Sequence, residues 1–228
     1  MKKITLAILM LLGTFSIASA ELGISVGVSG SIGLYETSGS EKEGTETNTA
    51  KAEELLVPMG SVFIEKTLNF LPGPLGRLSI GYDEVLHDLK TGAQSRTDMY
   101  LGTPAEAGPT GVRTVSENNA SATLSGINTI YATFRVTDWL YLMYGQTEMD
   151  VKTTEVLRSG ETYGNFAVDG EVMGFGLQFE SALGTFTRFE YNNTSYDGKT
   201  IDSSNASNSV TVKDIDGVSG KVSFGKTF

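Results

Sequence analysis

The stretch "FGLQFESALGTFTRFEY" (residues 175–191) decides the fold. If Ala182-Leu183-Gly184 is a three-residue turn, with Gly184 taking the positive φ that closes it, Ser181 faces Thr185 and the register of the hairpin is fixed. Phe179 then lies opposite Thr187, Leu177 opposite Phe189 and Phe175 opposite Tyr191. Gln178 faces Arg188, and Gly176 faces Glu190. One face is aromatic and aliphatic, the other polar, charged or glycine. A slip of one residue would put Arg188 among the aliphatics.

The same alternation recurs along the chain. "LGISVGVSGSIGLY" (22–35) places apolar residues or glycine at every second position, with serine or glycine between them for most of its length. Around "TDW" (137–139), Phe134, Val136, Leu140, Leu142 and Tyr144 share one face, while Thr133, Arg135, Tyr141 and Met143 share the other. Strands are expected near 22–36, 56–68, 76–89, 122–136, 140–152, 168–181, 185–196 and 209–228. "AKAEELL" (50–56) carries charge on most faces and is read as loop.

Connections between these strands alternate in length. Those at 69–76, 137–139 and 182–184 are short; those at 38–54, 90–121, 153–167 and 197–208 are long and polar. An up-and-down transmembrane barrel sorts its loops this way, whereas a sandwich has no reason to. Its strands need about 9 to 11 residues to cross a bilayer at a tilt. Closure leaves no sheet edge in lipid. The fold class expected is therefore all-β, an eight-stranded antiparallel up-and-down transmembrane β-barrel. The longest connection has room for a further hairpin through "DMYLG" (98–102) and "GVRTVS" (111–116), which would make ten strands.

Residues 1–20, "MKKITLAILMLLGTFSIASA", read as a secretory signal: Lys2 and Lys3, an apolar middle, and a small-residue site with cleavage after Ala20. The barrel domain is then 21–228. Removing two of the 17 basic residues leaves 15 against 27 acids, a net charge near −12. Such an acidic chain supplies no basic footprint for nucleic acid. The sequence has no cysteine, which excludes disulfides, thiolate metal sites and a lipid-bearing cysteine.

Parity divides the strand residues into two sets. Glu65, Asp83, Arg135, Gln178, Glu180, Arg188, Glu190 and Lys221 are expected in the lumen as a polar network. Val136, Leu140, Leu142, Phe175, Leu177, Phe179, Phe189, Tyr191, Val222 and Phe224 are expected to face lipid. Eight strands make an interior just wide enough for side chains to fill, so a packed polar core is expected. Inner glycines at 23, 27, 33, 174 and 176 leave room and would widen it. Trp139, Tyr141, Tyr144, Phe63 and Phe70 are assigned to an interfacial aromatic belt.

"VSGKVSFGKTF" (218–228) ends on an aromatic residue, with Val218, Val222, Phe224 and Phe228 sharing parity. In this it resembles Gram-negative outer-membrane proteins, and "MGFGLQFESALGTFTRFEYNNTSYD" (173–197) is similar to the late hairpin of the OmpA/OmpX/opacity-type porin superfamily. The resemblance implies an outer-membrane location and an assembly signal in Phe224 and Phe228 read by the barrel-assembly machinery. Lys226 departs from that signal, which usually has an apolar residue there. The expected partners are outer-membrane lipid and lipopolysaccharide, with a phage or host surface ligand at the loops.

No cofactor or metal is expected. His87 lies near Asp83, Glu84 and Asp88, but a lone histidine beside acids is read as a solvated loop-edge residue rather than a catalytic one. "EKEGTE" (41–46) and "DGKTIDSSN" (197–205) do not match a calcium loop and are read as solvated loops. The functional expectation is a structural or surface-interaction role through long loops, with a narrow cation-preferring porin as the alternative.

Overall fold

The computed structural model describes residues 22–43, 46–92, 94–101, 113–157, 161–204 and 208–228. The signal segment expected at 1–20 and the cleavage site lie outside the described residues. The strands are β1 (Ile24–Glu43), β2 (Glu46–Thr67), β3 (Leu78–Val85), β4 (Leu89–Lys90), β5 (Gln94–Leu101), β6 (Arg113–Arg135), β7 (Leu140–Val156), β8 (Phe166–Glu180), β9 (Thr185–Tyr196), β10 (Lys199–Asp202), β11 (Asn208–Val212) and β12 (Ile215–Thr227).

Antiparallel pairing runs in the order β2, β3, β6, β7, β8, β9, β12, β1, and β1 pairs back onto β2. The sheet closes into a barrel of eight staves. The short strands continue staves instead of adding any: β4 and β5 follow β3 along β6, and β11 follows β12 along β1. Of the residues that suggested ten strands, 98–101 lie in the outer extension of the third stave and 113–116 in that of β6, paired with each other, while 102, 111 and 112 lie outside the described residues.

The hairpin at 181–184 has the expected register, with Gln178 opposite Arg188, Phe175 opposite Tyr191 and Gly184 at φ 76°. Three reversals sit at one end: this one, 136–139, and the segment from 68 to 77 with its 3-10 turn at Gly73–Arg77. Ile24 and Phe228 meet at the same end. The longer connections gather at the other.

Several strands exceed their expected bounds. β1 and β2 pair as far as Glu43 and Glu46, so "AKAEELL" is strand rather than loop, its charged residues lying beyond the apolar part of the stave. "EKEGTE" likewise belongs to this hairpin, except residues 44 and 45, which lie outside the described residues, and much of "DGKTIDSSN" forms β10. The final segment is broken at Lys213 and Asp214, where β11 turns back to pair with β10.

The register also fixes the barrel's stagger. Glu54 on β2 pairs with Glu36, then Asp216, Ser195, Glu171, Gln146, Ile130 and Tyr82 in turn, and Tyr82 pairs with Ile64 on β2. One circuit thus returns ten residues further along the starting strand. For eight staves this displacement corresponds to a strand tilt of roughly 40°.

Candidate functional site

The lumen is filled at two levels with different chemistry. Near the short turns, the Arg188 guanidinium donates Nη1 to Glu65 Oε2 at 2.9 Å and Nη2 to Glu65 Oε1 at 2.8 Å, and both side chains are almost fully buried. Arg188 Nε donates to Gln178 Oε1 at 2.6 Å, and Gln178 Nε2 donates to Glu180 Oε2 at 3.2 Å. The guanidinium is stacked among rings, 4.6 Å from the Phe186 centroid, 5.3 Å from Phe63 and 5.5 Å from Tyr141. A bidentate pair whose Nε–H is also bonded, with aromatic faces around it, is a well-compensated way to bury two charges.

A second ion pair lies above it. Lys221 Nζ is 2.6 Å from Asp83 Oδ2, which also accepts from Ser61 Oγ at 3.1 Å. Serines 29 and 223 share a hydrogen bond of 2.9 Å across the β1–β12 seam, and Ser223 Oγ reaches Glu190 at 3.5 Å. A cavity of about 80 Å³ remains between the two pairs and the loop end, with Asp83, Arg188, Glu190, Asn192 and Lys221 in its wall. It has room for only a handful of waters. Asn192 Oδ1, buried here without a partner among the described residues, makes this cavity polar.

Towards the loops the interior becomes apolar. Ile127, Met149, Val151, Val168 and Tyr196 form a buried cluster, with Tyr35, Leu124 and Phe166 packed against it. The outer face changes in the opposite sense at the same place. Along β7, Leu142 and Tyr144 are exposed apolar residues outside, followed by Gln146, Asp150 and Lys152; inside, Thr147 gives way to Met149 and Val151. β8 repeats this, with Phe175 and Met173 outside followed by Glu171 and Asp169. The chain therefore inverts its amphipathic sense partway along the staves. A barrel that passes from hydrocarbon into water has to do this, because the medium outside changes while the staves continue.

Of the residues expected in the lumen, Glu65, Asp83, Gln178, Arg188, Glu190 and Lys221 line it or plug it. Arg135 and Glu180 sit at its turn-end mouth, 3.9 Å apart and about one-third exposed, where Glu180 joins the interior network through Gln178. The ten residues expected on the other face all lie on the barrel's outside, where Phe175 stacks near Tyr191 and Phe179 near Phe189. Phe224 and Phe228 are outside as well, and Lys226 Nζ lies 5.2 Å from the Phe228 ring.

Two expectations are overturned. Phe63 and Tyr141 are not belt residues: both are buried in the lumen around Arg188, while Trp139, Tyr144 and Phe70 are exposed outside. The inner glycines do not widen the interior either. Six inward rings face a glycine in register: Phe63 faces Gly27, Tyr131 Gly81, Tyr141 Gly176, Phe186 Gly225, Tyr196 Gly170 and Tyr35 Gly217. A Cβ at Gly81 would lie 2.2 Å from Tyr131 Cζ, and one at Gly176 would lie 2.3 Å from Tyr141 Cζ. Glycine is there so that a ring can lie flat across the neighbouring strand. The signal for these pairs in the sequence is that each aromatic shares the parity of the polar residues on its strand.

His87 is exposed, and its Nε2 accepts from the Gly60 backbone N–H at 3.1 Å. Asp83 is turned inward to Lys221, so histidine and aspartate do not form one site. Among the described residues no group of three or more His, Asp or Glu side chains is placed to hold a metal ion.

No family model matches the chain, and no curated protein matches it. Among solved structures, it aligns with the attachment invasion locus protein Ail of Yersinia pestis at 11% identity, over 86% of this chain and 98% of that one, with a TM-score of 0.33. The outer-membrane protease OmpT of Escherichia coli aligns at 9% identity, over 93% and 99%, with a TM-score of 0.39. Neisserial surface protein A aligns at 7% identity, over 90% and 97%, with a TM-score of 0.38. These superpositions are loose, and the eight-stave barrel rests on its own strand pairing.

Proposed function

We propose that this chain is an integral outer-membrane barrel whose lumen is closed and whose work is done at its loop end, as a structural or surface-interaction protein. The observation that carries this reading is the Arg188–Glu65 pair, held by Gln178 and walled by Phe63, Phe186 and Tyr141 across the turn end of the lumen. With the apolar cluster above, it leaves among the described residues a cavity of about 80 Å³ and no wide aqueous path. The exposed apolar residues outside fit a lipid environment, in which the chain's partners are membrane lipid and lipopolysaccharide, with the assembly machinery reading Phe224 and Phe228. A surface ligand of phage or host origin would meet the extended β1–β2 hairpin and the other long connections.

Single-channel recording in a planar bilayer tests the closed lumen. The expected result is no resolved steps above leak from the folded, heat-modifiable protein. Stepwise, cation-selective conductance would overturn it in favour of a narrow porin.

A further inference from the structure

The apolar surface of the barrel is not level. On β7 the outward residues change from apolar to polar between Tyr144 and Gln146, and on β6 between Ile130 and Asn128. On β1 the change comes only between Leu34 and Glu36, and on β2 between Leu56 and Glu54. The stagger puts these on a common scale. Ile32 pairs through Gly220, Tyr191 and Phe175 to Leu142, four staves away. Ten residues per circuit of eight staves is a correction of about five residues over four staves, so Ile32 stands at the height of Gln146 and Thr147. Yet Ile32 is 60% exposed and flanked by other apolar side chains, whereas Gln146 begins the polar part of its stave.

The lower end of the staves differs in charge between the two flanks. Lys66 pairs through Ile80 and Ala132 to Tyr144, three staves away in the other direction, which sets it level with Leu140. At that height β2 and β12 carry Lys66 and Lys226 where β7 carries Leu140; beyond it exposed apolar side chains continue on both flanks, Phe70, Leu75 and Phe228 next to the lysines and Trp139 and Leu183 opposite. The upper edge is thus higher on the β12–β1–β2 flank by about four residues, roughly 10 Å along the barrel axis, and the two lysines put positive charge at the lower end of that flank.

We infer that the barrel sits inclined in the membrane, with the lipid bilayer covering the raised β12–β1–β2 flank and the loop end leaning over that side. The inference rests on the membrane reading proposed above. It brings the tip of the β1–β2 hairpin towards the lipid headgroups and lifts the loops of the opposite flank away from them.

The test uses the absence of cysteine in the sequence. Single nitroxide labels are placed at Ile32→Cys, Gln146→Cys, Lys66→Cys and Leu140→Cys in the full chain refolded into phosphatidylcholine vesicles, with heat-modifiable migration confirming the fold of each. Collision with oxygen against a water-soluble nickel chelate reads depth. The expected result is position 32 deeper than 146 by about 10 Å, and 140 in hydrocarbon while 66 lies at the headgroups. Equal depths within each height-matched pair would overturn the inclination and leave an upright membrane barrel. Spin–spin broadening and low oxygen collision confined to position 32 would overturn it in favour of a second copy on that flank. All four labels in water would overturn the membrane reading itself.

Discussion

Arg188 on β9 crosses the lumen to meet Glu65 on β2, sequence positions 123 residues apart, through two parallel hydrogen bonds of 2.9 and 2.8 Å. Neither side chain has solvent to fall back on, so each is the other's principal charge partner. Replacing one alone strands the other. Arg188→Met and Glu65→Leu are each expected to lower the unfolding free energy by about 3–5 kcal/mol, while the double variant recovers a large part of either loss. Urea titration in lipid or detergent, monitored by gel mobility, measures the cycle; additive losses would contradict the pairing.

The glycines opposite inward rings are set by space. Gly81→Ala would drive a methyl group into the Tyr131 ring, at a cost of about 1–3 kcal/mol. Tyr131→Phe should not relieve it, because Cζ remains, whereas Tyr131→Leu in the same chain should. Midpoints of thermal or urea unfolding for the four proteins test this. If Gly30→Ala, whose added methyl meets nothing within 4 Å, costs as much as Gly81→Ala, the steric account fails.

The inversion of amphipathic sense along β7 makes opposite demands on neighbouring heights. Leu142→Arg, on the outside within the apolar band, is expected to cost about 2–4 kcal/mol. Asp150→Arg, on the outside beyond the band, should change stability by less than about 0.5 kcal/mol. Inside, at that same outer level, Met149→Ala opens a cavity in the apolar cluster and should cost about 2–5 kcal/mol. Equal sensitivity of positions 142 and 150 to arginine would remove the change of medium.

Much of this fold is legible in the sequence because hairpin register and side-chain parity are coupled. The turn at Ala182-Leu183-Gly184 fixes which residues oppose one another, and Arg188 and Gln178 follow onto the inner face without tertiary information. What escapes that reading has two physical causes. Parity says that Phe63 and Tyr141 point inward, but only the glycines across the neighbouring strands, Gly27 and Gly176, make room for rings there. Strand limits escape because the alternation changes phase within a single strand. "YLMYGQTEMDVKT" (141–153) keeps alternating, yet its apolar members move from even positions at Leu142 and Tyr144 to odd ones at Met149 and Val151. That phase change marks where the staves pass beyond the apolar band and the second core begins.

The central claim is that acyl chains wet the outer face at Phe175 while the interior at Val151 is walled off from them. Trp139 is the sequence's sole tryptophan, so Trp139→Phe gives a silent background for one reporter at a time. Phe175→Trp and Val151→Trp, each refolded into vesicles containing lipids brominated along the acyl chain, read contact directly through quenching. The account predicts strong quenching at 175 and little at 151. Fluorescence at 175 that bromine leaves untouched but aqueous iodide removes would contradict it.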